Sequence, residues 1–491
     1  MNSRILGFAS ANLIPALVSF ASVCVFTRIL SPSELGAYNL AFSVVTVIQA
    51  SAVAALAIGI NRFYPAANSG GTVPSFLKTW YGALAAVCVL VVLVGPPAVI
   101  LLPMDQALRL PLALSLVLFV VRSVVALNQS VNRAADFPWR FAGIECVHTL
   151  LGFVLALALI AIFEAPTAAS VLGGMIISAV LCAIIDLKRL RVVLRDGSVS
   201  RDALRVLIRF AGPLGIALAT GCLLQYGDRF LISALAGTNE LGIYAVAYSL
   251  IERPTTLIGS SLSVAIFPMA AQALERGGVK SARLQTERNG LAQLALLLPA
   301  CVGLLLCSDS ISGLLVGPAF RGGVASLMPV MALTALVRVM TAHYLEHAFY
   351  LAHRSDLQLR IYALGGAASV ALNFLLVPEF GAVGAAWSAL ACQSGTAAAC
   401  WLVSRRIFPM GLPWREVARV AVANAAMAAA LVMSPAQVSW PSLLGQIGLG
   451  IAVYIATMAA LYADKVSVLV LMMRAPRHLA IERLGNGEDP A

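Results

Sequence analysis

The chain has 491 residues, 60% of them hydrophobic and 11% charged, where a soluble globular protein carries roughly 25% charged residues. No soluble fold of this length hides so much apolar surface, so composition excludes the soluble classes. A formal net charge of +11 would suit nucleic acid if it were gathered on one face, but the basic residues sit in short stretches between apolar runs and act as topology signals.

Apolar runs of bilayer-crossing length, about 20 residues, recur along nearly the whole chain. They predict an all-α polytopic membrane protein of about fourteen spans: 5–30, 36–60, 76–101, 110–131, 139–163, 167–186, 208–235, 241–270, 289–316, 325–350, 358–378, 381–403, 415–433 and 441–462. The first run, after Arg4, contains Asn12 and Pro15 and is longer than the roughly 7–15 residues of a signal-peptide core, so it is read as an uncleaved helix. Ala21-Ser22-Val23-Cys24 resembles a lipoprotein site only loosely, because Val23 is bulky where a small residue is wanted. All nine cysteines fall within spans, none in a C-x-x-C pair, and read as small apolar packing residues.

Placing successive connections on alternate sides puts most of the 33 Lys and Arg on the side that holds both termini, among them Arg62, Lys78, Arg133 and Arg140. The positive-inside rule makes that side cytoplasmic. The longest hydrophilic connection, Lys188 to Arg209, carries seven basic residues against Asp196 and Asp202. The spacing from Arg201 to Arg209 suits an amphipathic helix on the anionic leaflet, worth about 1 kcal/mol per basic residue.

An internal repeat crosses that connection. Glu34-Leu35-Gly36-Ala37-Tyr38 after span one recurs as Glu240-Leu241-Gly242-Ile243-Tyr244 after span seven, Tyr64-Pro65-Ala66-Ala67 matches Phe267-Pro268-Met269-Ala270, and Pro15 matches Pro213. The expected organisation is an N-terminal lobe at 1–187, a basic cytoplasmic linker at 188–209, a pseudo-symmetric second lobe at 210–406, two appended helices at 407–464 and a cytoplasmic tail at 465–491. Six helices per half is even, so the halves insert the same way up, about an axis along the membrane normal.

Ionisable residues deep in a span cost several kcal/mol unless they meet a polar cavity or a partner. Arg122 in span four, Arg253 in span eight and Arg338 in span ten qualify, and Val121-Arg122 aligns with Val337-Arg338 across the repeat. Two readings stand: cations lining a cleft for an anion, or neutralisers of Glu145, Glu252 and Glu346. Arg28 and the pair Asp228-Arg229, repeat-equivalent near the outer face, are either further cavity charges or structural anchors. Pro15, Pro213 and Pro254 bend their helices as hinges or as static kinks.

His343-Tyr344-Leu345-Glu346-His347 fits the H-x-x-E-H zinc-protease pattern. It lies inside span ten without a soluble domain or third ligand, so metal binding is rejected. His343 or Glu346 near the cytoplasmic mouth remain candidates for proton coupling. Gly277-Gly278-Val279-Lys280-Ser281 fails the phosphate-loop spacing, which argues against ATP hydrolysis by that route, and Asn128-Gln129-Ser130 matches a glycosylation acceptor on the wrong side. No catalytic residue, cofactor or metal is expected.

Three further stretches are similar to a known group. They are Thr27-Arg28-Ile29-Leu30-Ser31-Pro32 with Glu34-Leu35-Gly36-Ala37-Tyr38, Asp228-Arg229-Phe230-Leu231-Ile232 with Leu241-Gly242-Ile243-Tyr244, and Asn373-Phe374-Leu375-Leu376-Val377-Pro378 with Phe380-Gly381-Ala382-Val383-Gly384. In this order they resemble the polysaccharide-transporter or Wzx-like oligosaccharide flippases, grouped with MATE transporters and lipid II flippases. The resemblance covers the whole chain. It implies a two-lobed alternating-access transporter of the bacterial inner membrane that carries a polyprenyl-diphosphate-linked oligosaccharide outward through a cationic cavity, here supplied by Arg122, Arg253 and Arg338. Its implied partners are that lipid-linked oligosaccharide, the bilayer and the polysaccharide polymerase machinery, with no nucleic acid. The competing readings are a cation-coupled MATE-type drug or metabolite antiporter, which wants an acidic cavity, and a membrane polymerase or glycosyltransferase, which wants large extramembrane loops.

Overall fold

The computed structural model describes residues 2–101, 105–186, 191–192, 195–408, 410–434 and 437–463, with side chains from Ile14 onward, Leu224 apart. The expected tail at 465–491, with Lys188 and Arg189 of the linker, lies outside the described residues, as does the side chain of Arg4. Among the described residues, eleven helices are long and apolar enough to cross a membrane. Two of these are double. Gly237–Leu306 is interrupted at Gly278 (φ 65°, ψ −165°) and Ser355–Ile407 at Gly381 (φ 56°, ψ −134°). Divided there, and with the first helix Asn2–Ile29 added, the described residues form the fourteen spans that the apolar runs predict.

The first interruption shortens the connection that the sequence places at 271–288, and the second falls beside the two-residue connection that it places at 379–380. Both use a glycine in the left-handed region, where a side chain would be strained, so one residue reverses the chain. Arg276, Lys280 and Arg283 consequently ride on helix ends, and Arg283 Nε pairs with Glu287 Oε1 at 2.9 Å. The basic stretch at 201–209 is the first part of the continuous helix Arg201–Leu235, begun by Ser200, whose hydroxyl accepts from Ala203 N at 3.2 Å. Just before it the linker is fastened to span three, Val73–Leu101. Lys78 Nζ donates to Gly197 O at 2.8 Å, Ser198 N to Ser75 Oγ at 3.2 Å and Ser200 N to Thr79 Oγ1 at 3.2 Å. Pro15, Pro213 and Pro254 all lie within unbroken helix.

The chain forms two compact units, 1–253 with 315–334 and 359–396, and 254–314 with 335–358 and 397–491. In the first, polar side chains pair between helices. Buried Trp80 donates to Leu56 O at 3.1 Å, Tyr81 bonds to Asn128, and Arg140 pairs with Asp186. Gly174 packs against the backbone of Ala156, which lets spans five and six approach closely. In the second unit, Asn289 donates to Ile266 O at 2.9 Å, Tyr344 to Gly411 O at 2.8 Å and Tyr454 to Ala295 O at 2.8 Å, around a core of Ala270, Ala282, Tyr344, Ala348, Leu351 and Phe408. Outward faces are apolar, as in span three, where Val89, Leu90 and Leu93 are more than half exposed. In hydrocarbon such a face needs no covering.

The repeat is visible in contacts within the first unit. Glu34 Oε2 accepts from Ala168 N at 2.6 Å, capping span six, and Glu240 Oε2 accepts from Ala382 N at 2.9 Å, capping span twelve. Gly36 and Gly242 meet each other. A Cβ on either would strike the carbonyl of the other helix's opening turn, Thr238 or Pro32, and would stand 3.0 Å from Gly242 N or 3.1 Å from Gly36 N. Spans two and eight therefore cross backbone against backbone at a point where the repeat meets itself. A carboxylate at a helix N-terminus satisfies orphan N–H groups and opposes the dipole, together worth about 1 kcal/mol. Glu34→Ala and Glu240→Ala are each expected to lower the thermal midpoint in detergent by a few degrees, and the double variant by about the sum, because the two carboxylates serve different helices.

Candidate anion-binding cavity

The described residues of the first unit enclose a cavity of about 510 Å³ lined from spans one, two, four, five, six, seven and eight. Three arginines reach it: Arg122, Arg229 and Arg253. Each comes from a different helix. Arg122 and Arg253 sit in mid-span by sequence position, and Arg229 lies nine-tenths or more buried near the end of its helix. Glu145 and Glu252 line the same space.

Aromatic rings support two of these cations. Arg122 Cζ stands 5.0 Å from the centre of the Phe42 ring, and Arg229 Cζ stands 4.4 Å from Tyr226 and 4.7 Å from Tyr248. A guanidinium held over a ring face is stabilised through the ring quadrupole and keeps its edge N–H groups for another acceptor. Neither cation uses all of them. Arg122 Nη1 and Arg229 Nη1 are buried without a hydrogen-bond partner, and so are Gln49 Nε2 and His148 Nε2. All four belong to cavity-lining residues.

An orphaned buried donor costs about 1–3 kcal/mol, more when charged. The two guanidinium nitrogens and the Gln49 amide are donors of this kind, and His148 Nε2 becomes one when it carries a proton, so the residues lining this space are short of acceptors. An anion with several oxygens at different angles supplies them. The backbone adds to this at Gln49, which opens a π turn, Gln49–Val53, inside the second helical span. Such turns displace one residue from the helical register and mark functional positions. Span seven presses on that turn so closely that a Cβ on Gly215 would strike Ser51 O.

Glu145 and Asp228 are held by other groups. Glu145 Oε1 accepts from Gln129 Nε2 at 3.2 Å, and Gln129 Oε1 in turn accepts from Asn132 Nδ2 at 2.9 Å. Asp228 accepts from Tyr244 Oη at 2.6 Å and from the backbone of Arg229 at 2.8 Å. Glu145 is thus oriented from the protein side while the Arg122 edge stays open.

The other sequence candidates lie elsewhere. Arg28 is exposed and donates to Cys24 O at 2.6 Å and Leu315 O at 3.1 Å, closing the end of span one. Arg338, His343 and Glu346 belong to the second unit. There residues 341–345 form a π turn, Glu346 Oε2 accepts from Tyr350 Oη at 2.9 Å, and His347 Nε2 lies 3.1 Å from Ser263 Oγ and packs on the Phe267 ring. Sequence reasoning missed Gln49, His148 and the supporting tyrosines. His148 carried a readable signal, an ionisable side chain one turn beyond Glu145 in an apolar span.

The fold is shared with solved membrane proteins, among them members of the MOP superfamily of transporters. The chain resembles the lipid II flippase MurJ in its inward closed conformation, with a TM-score of 0.73 at 12% identity over 94% of this chain and 99% of that one. It also resembles an inward-facing multidrug resistance MATE family transporter, with a TM-score of 0.64 at 16% identity over 84% and 98%. A Pyrococcus furiosus transporter of the superfamily, described by the reverse polarity of its binding pocket, gives 0.56 at 12% identity over 85% and 94%. Residues 5–274 match the polysaccharide biosynthesis protein family, and the chain belongs to it. A comparison with curated protein sequences finds no match.

Proposed function

We propose that this protein is a flippase that moves a polyprenyl-diphosphate-linked oligosaccharide from the cytoplasmic to the periplasmic leaflet of the inner membrane. The reading rests above all on the four unpartnered polar atoms of Gln49, Arg122, His148 and Arg229 around one cavity. A diphosphate offers several acceptor oxygens and negative charge together, the chemistry that charge-assisted guanidinium bonds require. The tyrosines and amides beside the arginines suit a sugar ring, and the lipid tail stays in the bilayer. Membership of a polysaccharide biosynthesis family fits this cargo better than a cationic drug, which an excess of arginine repels. The chain acts as a transporter, not an enzyme, with both termini cytoplasmic and the polysaccharide polymerase machinery receiving its product. Repeat-related lobes of six helices rock about the cavity, and His343 and Glu346 serve as coupling or counter-charge groups with Arg338.

Deleting the gene is expected to strand lipid-linked oligosaccharide on the inner leaflet. The check is protection of the metabolically labelled glycan from a membrane-impermeant oxidant in spheroplasts, with access restored by the wild-type gene. Full access in the deletion strain would remove the assignment.

A further inference from the structure

The mechanism proposed above uses the arginines and gives no task to an unpartnered titratable side chain in the cavity, His148. His148 lines it from the same helix as Glu145, and its Nε2 is buried without a partner. The ring is not idle packing. Its backbone carbonyl is fixed by Ser178 Oγ at 2.7 Å, so the imidazole is carried on a braced turn. Span five is further pressed on span six at Gly174, against Ala156.

The surroundings decide what such a ring does. The titratable or charged groups that share the cavity are Arg122 from span four, Glu145 from its own span, Arg229 with Tyr226 from span seven, and Tyr248, Glu252 and Arg253 from span eight. Span two adds Tyr38, while the described side chains of spans one and six place no titratable group there. Three arginines oppose a proton on the ring, and two carboxylates favour one. The Glu145 carboxylate is engaged by Gln129. A polyvalent anion among the arginines tips the balance toward the protonated ring, because it screens their charge and offers Nε2 an acceptor.

We propose that His148 takes up a proton when the anionic headgroup enters the cavity and donates Nε2–H to it, so that anion binding and protonation are linked. This deepens the flippase reading and rests on it. The bond formed is a hydrogen bond from protonated imidazole to an anion oxygen. The proton comes from solvent when the cavity fills and returns to solvent when it empties. By reciprocity, whatever the anion adds to proton affinity the proton adds to anion affinity. The linkage sign follows: binding tightens as pH falls through the range in which the ring titrates.

The test uses the purified full-length protein in lipid nanodiscs and methanedisulfonate as probe, a diphosphate-like dianion whose own charge does not change between pH 5 and 8. Titration calorimetry in buffers of different ionisation enthalpy gives the protons taken up per anion bound. The wild type should take up close to one proton per anion in the middle of the range, with affinity rising by up to tenfold per pH unit as pH falls. His148→Gln should bind more weakly at low pH, with no proton uptake and no pH dependence, at an unchanged melting temperature. Arg122→Ala/Arg229→Ala should lose binding at every pH. Proton uptake that survives in His148→Gln, or wild-type binding without uptake, overturns the proposal and leaves the anion cavity standing. Unchanged binding in the arginine variant, or no wild-type binding, overturns both. If His148→Gln does not fold, wild-type uptake alone decides.

Discussion

Alanine at both Arg122 and Arg229 is expected to abolish outward delivery of the lipid-linked oligosaccharide while leaving the thermal midpoint close to that of the wild type. Each arginine holds a buried, unpartnered Nη1, a desolvation cost that truncation removes. Truncation also removes the support of the rings and the attraction between Arg229 and Asp228, so the opposing effects on stability largely offset. With cargo present the same groups each make a charge-assisted bond worth about 1.5–3 kcal/mol. Losing two weakens headgroup binding by about two to four decades. An arginine that merely neutralised a neighbouring acid would give a marked fall in the midpoint, because its loss would leave a buried carboxylate uncompensated. The measurement pairs surface delivery of labelled glycan with fluorescence-detected melting of the same variant. Normal delivery at normal abundance would end the cationic-cavity account, and a fall of several degrees with little change in delivery would favour the structural one.

Valine at Gly36 should remove folded protein from the membrane. The collision at that position is with Thr238 O and Gly242 N, backbone atoms that no rotamer change can move aside. Even alanine carries the offending Cβ, so Gly36→Ala should cost several kcal/mol, in the range reserved for broken packing of backbone on backbone. Detergent-extractable abundance and the monodispersity of a fluorescent fusion give the result. A Gly36→Ala protein that melts with the wild type would show that spans two and eight do not cross here. Gly143 is the matched control, since a Cβ there has nothing within 4 Å.

Bilayer thickness made the spans legible: runs of about 20 apolar residues have few other uses, so number and order followed from hydropathy alone. Their ends were less so. Gly278 and Gly381 turn the chain in single residues, yet they are two among 38 glycines, and only backbone conformation distinguishes them. For the cavity, the rule that a deep charge needs a reason picked out Arg122, Arg253, Glu145 and Glu252 directly. The rule treats charge, not hydrogen bonding, and so passed over Gln49. The aromatic support of Arg122 and Arg229 was also hidden, because Phe42 and Tyr248 come from other helices and a contact between helices leaves no spacing signature. Arg338 matches Arg122 in the repeat, but the alignment says only that the helices correspond. Its assignment to the second unit comes from packing.

The meeting of Gly36 with Gly242 has a consequence for genetics. A clash between two side chains can be relieved by shrinking either one, which produces suppressor mutations and correlated change between positions. Here the obstacles are the carbonyls of Thr238 and Pro32, and every amino acid has that oxygen. No replacement at 238 or 32 can therefore make room for a side chain at 36 or 242. A screen for revertants of Gly36→Ala should return glycine itself, or changes elsewhere that slide one helix along the other, and a covariation analysis should find the two glycines silent although they touch.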